Sequence, residues 1–213
     1  MVRADFWRGT VRWTRAVLLC SGLIVHAGLA GPAWAGDAGW VARINGKPTI
    51  TRGDRTEALR PGEAVRVGER ITTDDTAKVK LLLADDSVLA IGPRSQVTID
   101  ELLLSGDSRK GRLNVLAGRF KLAIAAWLNG QSDYEVQTPT AVAGVRGTVL
   151  WGDTQLDTIC ALQGEVEVRS LQGAPLADLQ AGKCLSEMGK GKTVSLTPSR
   201  EDLEKYLKEV TLD

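Results

Sequence analysis

Apolar and charged residues take turns along Ala77-Lys78-Val79-Lys80-Leu81. They do so again along Leu113-Asn114-Val115, Arg119-Phe120-Lys121-Leu122 and Glu165-Val166-Glu167-Val168-Arg169. A period of two puts alternate side chains on opposite faces of an extended chain, so these runs predict half-buried strands. Shorter β-favouring runs at 41–44, 49–51, 65–67, 88–91, 97–99, 134–138, 149–151 and 194–196 predict more strands. Turn chemistry recurs between them, as in Asn45-Gly46, Pro61-Gly62, Asp74-Asp75, Asp85-Asp86, Gly92-Pro93, Asn129-Gly130 and Ala181-Gly182. Many short strands parted by such turns define an all-β domain. Two architectures satisfy the pattern, a short-stranded, solenoid-like β-roll and a β-sandwich. Phe120–Leu128 reads as a strand running into a loop, with a short helix as the competing reading.

The end of the chain changes period. Leu203, Leu207 and Val210 recur at i, i+4 and i+7, with Tyr206 alongside. Ser199-x-x-Asp202 approximates a capping box, and Glu201 and Asp202 suit the positive end of a helix dipole. Glu201–Lys205 and Glu204–Lys208 are spaced as helical ion pairs. This predicts a C-terminal amphipathic α-helix within 197–213, its apolar stripe either packed on the β-domain or left for a partner.

The beginning has a third pattern. Arg3, Arg8, Arg12 and Arg15 precede an apolar run from Ala16 to Ala30, followed by Ala33-Trp34-Ala35. A basic leader, an apolar core and small residues at −3 and −1 make a secretory signal peptide over 1–35, cleaved before Gly36. An uncleaved anchor is the competing reading, but Pro32 closes a run short of the ~20 residues of a full span. The expected location is periplasmic, with secretion as a variant, and no stable membrane span after cleavage. The β-domain then occupies 36–196.

Composition narrows the chemistry. The leader takes four of the 27 basic and one of the 26 acidic residues, leaving 23 and 25 on a mature chain of 178 residues. That balance does not point to nucleic acid or an anionic membrane. The only histidine, His26, lies in the leader. The mature chain therefore lacks imidazole for acid–base work, for a Ser-His-Asp arrangement or for most zinc sites. No catalytic residue, metal site or cofactor is expected. Cys160 and Cys184 remain, and an oxidising compartment favours a disulfide between them over two separate thiols.

The most distinctive segment is Thr138-Pro139-Thr140-Ala141-Val142-Ala143-Gly144-Val145-Arg146-Gly147-Thr148. Pro139 drives Thr138 toward extended geometry, and Gly144 and Gly147 bracket Val145-Arg146 where bulges or close backbone approach are expected. The segment reads as a bent, bulged strand presenting one arginine. It resembles the hallmark of FecR-domain proteins, bacterial envelope modules best known from iron-uptake signalling. Gly62–Thr73, Asp85–Ser95 and Leu162–Val168 resemble further pieces of the family in the expected order, extending the likeness over about 40–190. The resemblance implies a wound β-architecture and an envelope protein partner. Signalling members carry a cytoplasmic anti-sigma segment ahead of a membrane helix, whereas here only Met1–Arg15 precede the apolar run.

Candidate binding residues are Arg146, whose planar fork suits a carboxylate, and Trp127 and Trp151, which with Trp40 could offer a platform to a sugar. Against these stand a structural arginine and tryptophans used for packing. The paired carboxylates Asp74-Asp75 and Asp85-Asp86 read as turn residues, because neighbours on a strand face opposite ways. The leading expectation is a non-enzymatic, exported FecR-like module for protein or ligand binding. A structural or adhesive carbohydrate-binding protein and a carboxylate-only glycan hydrolase are the alternatives.

Overall fold

A computed structural model describes residues 36–106, 108–125, 131–191 and 193–212. The signal-peptide reading, Trp127 and the Asn129-Gly130 turn lie outside the described residues.

The chain shuttles between two sheets. It opens with β1 (Asp37–Asn45) in the first sheet, then β2 (Thr49–Arg52) and β3 (Arg55–Ala58) in the second. It continues with β4 (Ala64–Arg66) in the first, β5 (Arg70–Thr72) in the second, and β6 (Lys78–Leu83) with β7 (Val88–Ile91) in the first. The second sheet then gains β8 (Gln96–Ser105) and β9 (Ser108–Ala117), and the first gains β10 (Arg119–Ala123). β11 (Gln131–Gln137) and β12 (Ala141–Val145) return to the second sheet, and β13 (Val149–Asp153) and β14 (Thr158–Gln163) to the first. β15 (Glu165–Ser170) and β16 (Pro175–Gln180) complete the second, and β17 (Lys183–Ser186) and β18 (Val194–Leu196) the first. The helix α1 (Arg200–Val210) follows.

Among the described residues each sheet has nine strands, in the orders β18-β17-β14-β13-β10-β7-β6-β1-β4 and β16-β15-β12-β11-β9-β8-β5-β2-β3. Leu81, Leu122 and Leu150 from the first sheet share one buried core with Ile71, Leu113 and Val168 from the second. The β-domain is therefore sandwich-like, the alternative of the two expected architectures, with a chain path that passes repeatedly between the layers. All pairings are antiparallel except β9 with β11, between which β10 crosses to the other sheet.

Alternation located most strands because one face of each sheet is buried. It missed β5, too short at three residues to show a period, and two strands on sheet edges, β3, whose four residues are all exposed, and β16. Neither edge strand has a clean buried face, so neither has a clean period.

A polar cluster crosses the core. Asp85, which turn chemistry alone was expected to explain, is buried. Its carboxylate accepts from Ser87 Oγ at 2.7 Å and from the Tyr134 hydroxyl. Arg109 Nη1 donates to the Asp85 carbonyl at 2.7 Å and lies 3.8 Å from its carboxylate. Burial and then the Asp85 contact push the Tyr134 phenol well above its ordinary range, so it stays a donor. Asp74 behaves as a turn residue: its Oδ1 accepts from the backbone of Thr76 and Ala77 at 2.9 and 2.7 Å. Those backbone hydrogen bonds hold its carboxyl below the usual value.

Cys160 and Cys184 are opposite each other on β14 and β17, with Cα atoms 4.0 Å apart, and form a disulfide. The bridge spans 24 residues of sequence, so loop-closure entropy assigns it about 3 kcal/mol. Urea unfolding of C160S/C184S should show a loss of that order; an unchanged midpoint would mean the neighbouring strands hold this corner unaided.

α1 starts at Ser199, whose Oγ accepts from the Asp202 N–H at 3.1 Å. Among the described residues neither expected ion pair forms; Glu204 pairs with Arg200 at 3.1 Å instead. The helix packs on the outer face of the first sheet. Val210 is buried there and Tyr206 stacks on Trp151, with ring centroids 4.4 Å apart. Among the described residues no helix is long and apolar enough to cross a membrane.

Candidate functional site

The hallmark segment links three strands in two sheets. The Thr138 N–H donates to the Ala141 carbonyl at 2.9 Å, and Thr138 Oγ1 accepts from the Ala141 N–H at 3.1 Å, closing a tight turn over Pro139. Thr140 Oγ1 donates to Asp157 Oδ1 at 2.6 Å, and Asp157 Oδ2 accepts from the Gly189 N–H at 2.7 Å. These bonds tie the β11–β12 turn to the β13–β14 turn. Ala141, Ala143 and Val145 then point into the core. At Arg146-Gly147 the chain leaves the second sheet, and Gly147 takes φ +56°, a conformation that costs a glycine little. Thr148 is buried on arrival at the first sheet, and its carbonyl accepts from the Ile124 N–H at 3.0 Å.

Gly144 does not carry the expected bulge. It pairs in unbroken register with Glu135 on β11 and Glu167 on β15. Its missing side chain instead leaves a hollow on the outer face of the second sheet. Asp133, Glu135, Glu165, Glu167 and Asp178 surround this groove of about 890 Å³, together with Arg146 and Arg169. Five carboxylates against two guanidiniums give it a negative field. Arg169 is committed: Nη2 donates to Glu135 Oε1 at 2.8 Å and Nε lies 3.6 Å from Glu167 Oε1. Arg146 is exposed and forms no ion pair with a described residue. Among the described residues, the groove therefore offers one uncommitted cation on an acidic surround.

The other candidates separate. Trp151 is fully buried beneath α1, so it is no platform for a ligand: β13 directs it outward, but Tyr206 covers it. Trp40 is 44 % exposed on the first sheet, away from the groove. Among the described residues no three His, Cys, Asp or Glu side chains gather as a metal site. Glu135, Glu167, Arg169 and Asp178 were not singled out from sequence. The alternation of 165–169 did mark one polar face, but the pairing with β11 and β16 that assembles the groove is not a local signal.

Layering and hallmark turn together define a two-sheet β-domain with an arginine-bearing groove. Residues 69–174 match the profile described as FecR protein. That segment is a FecR domain, a narrower stretch than the motif likeness suggested. No curated protein matches the chain. Two crystal structures of a protein from Parabacteroides distasonis described as a "putative anti-sigma factor" share the fold, each with a TM-score of 0.51 at 15% identity. Each match covers 65% of this chain, which spans 64% of one of those chains and 63% of the other.

Proposed function

We propose that the chain is an exported, non-enzymatic FecR-domain module of the cell envelope that relays state by binding a protein partner through the groove at Arg146. The observation that carries this reading is the position of Arg146. The family's hallmark segment holds it in the open at the rim of a negative groove, with its fork uncommitted. A surface that offers both a carboxylate and nearby cations would complement it. Export rests on the leader, and a place in signal transduction is suggested by the description of the Parabacteroides protein.

The alternatives have less support. A carbohydrate platform needs aligned exposed tryptophans, and Trp151 is buried. A carboxylate hydrolase needs an open space between its two acids, and Arg169 lies between Glu135 and Glu167.

Two measurements test the proposal. Fractionation with N-terminal sequencing should find a periplasmic chain beginning at Gly36. A photo-crosslinking residue at Gln180, across the groove, should form an adduct in wild-type cells that Arg146→Ala removes. That exposed substitution should leave the unfolding midpoint in place. An equally strong adduct with Arg146→Ala would remove the groove from the account, and an intact leader on cytoplasmic protein would remove export.

A further inference from the structure

Among the described residues, the outer face of the first sheet is only half covered. Beyond α1, strand register lines up Ala64, Trp40, Leu82, Val88, Ala123 and Val149 side by side across β4, β1, β6, β7, β10 and β13. Trp40 and Leu82 are 44% and 42% exposed, and the other four are partly accessible. An outward face of an antiparallel sheet ordinarily carries polar residues, so an unbroken apolar line across six strands marks a contact surface. One pair further along the strands, Lys80 and Lys121 flank Ala90 in register. Neither lysine side chain forms a hydrogen bond or ion pair with a described residue.

We infer that this line is a docking surface for an acidic amphipathic helix of a partner protein, lying alongside α1. α1 shows what the face accepts. It runs across the strands, with Tyr206 over Trp151 of β13 and the carbonyls of Lys208 and Thr211 capped by Lys78 of β6 at 2.7 and 3.1 Å. Its Glu209 reaches Arg119 at 3.0 Å. Apolar side chains inward and carboxylates to basic residues of the sheet is the pattern a neighbour would repeat, using Lys80 and Lys121.

The dimensions agree. Five inter-strand steps of about 4.8 Å make roughly 24 Å, the length of a helix of about 16 residues. Successive outward residues on a strand are about 7 Å apart, so a helix on this line would sit near α1 at an ordinary packing distance of about 8–10 Å. Between the two positions a hollow of about 130 Å³, lined by Val88, Ala123, Val210 and Leu212, has room for an aliphatic side chain. A lipid surface fits less well. α1 stands about 10 Å proud of the sheet, and a flat bilayer would rest on it before reaching Trp40.

The test uses the full mature chain and a fluorescein-labelled peptide of about 16 residues. Its leucines are at i, i+3, i+4 and i+7 and its other positions are mainly glutamate. Saturable binding below about 100 μM is expected. Trp40→Ser with Leu82→Ser should weaken it about tenfold or more, as should Lys80→Glu with Lys121→Glu. Arg146→Ala should leave it unchanged, which separates this face from the groove. The four side chains are accessible, so unfolding midpoints should hold. No saturable binding up to about 1 mM, equal binding of a scrambled peptide, or insensitivity to both double variants would overturn the inference. Binding to phosphatidylglycerol vesicles in place of the peptide would overturn it too, assigning the face to lipid.

Discussion

Trp151→Ala should lower stability by about 3–5 kcal/mol, as removal of a fully buried indole does. Trp151 is the floor of a small second core outside the sandwich, shared with the disulfide cysteines and Val210 and roofed by Tyr206. Truncation removes the burial and also the surface that holds α1, so the helix should loosen with it. Urea unfolding measures the first effect, and amide exchange over 200–210 the second. Tyr206→Ala should cost less, because that ring is only half buried and its removal leaves the sheet intact. A loss below about 1 kcal/mol for Trp151→Ala would mean the outer core collapses around the gap. The Trp151 Nε1–H has no acceptor among the described residues, so Trp151→Phe should be far milder than Trp151→Ala.

Asp85→Ala should be comparably severe, at about 3–5 kcal/mol. The side chain is buried, and the Ser87 and Tyr134 hydroxyls converge on its carboxylate beside the buried Arg109 guanidinium. Taking away the anion leaves buried donors facing an apolar wall, which costs more than the contacts themselves contribute. Tyr134→Phe alone should be milder, since it removes donor and polar group together. A double-mutant cycle between the two positions should return a coupling of at least about 1 kcal/mol. Additive losses would show that Asp85 acts through its local turn with Ser87 and not through the network.

These two cases show what could be read from the chain. Alternation identified the strands that bury one face, such as β6 and β15, because a period of two is printed directly in their residues. It could not place Asp85, whose Asp-Asp-Ser context has the chemistry of an exposed turn. Burial came from Tyr134, 49 residues away, folding over it. Trp151 sits in Val149-Leu150-Trp151, apolar throughout, so the side it faces was not legible. That α1 would roof that side was one of two readings of the helix, and only tertiary packing chose between them. The hallmark segment revealed the family and singled out Arg146. The groove behind it depends on Gly144 lying between Glu135 and Glu167, a matter of which strands become neighbours. Register of that kind is set by the whole sheet.

Both sheets are laid down nearly in the order of the chain, so each strand rests mainly on its immediate predecessors. Such a stack behaves almost as a one-dimensional array, in which fraying can begin at a terminal rung without disturbing the middle. The last rung, β17 with β18, is where the covalent staple to β14 sits. The opposite end, at β3 and β4, has no such fastening among the described residues and is the side from which the structure would peel.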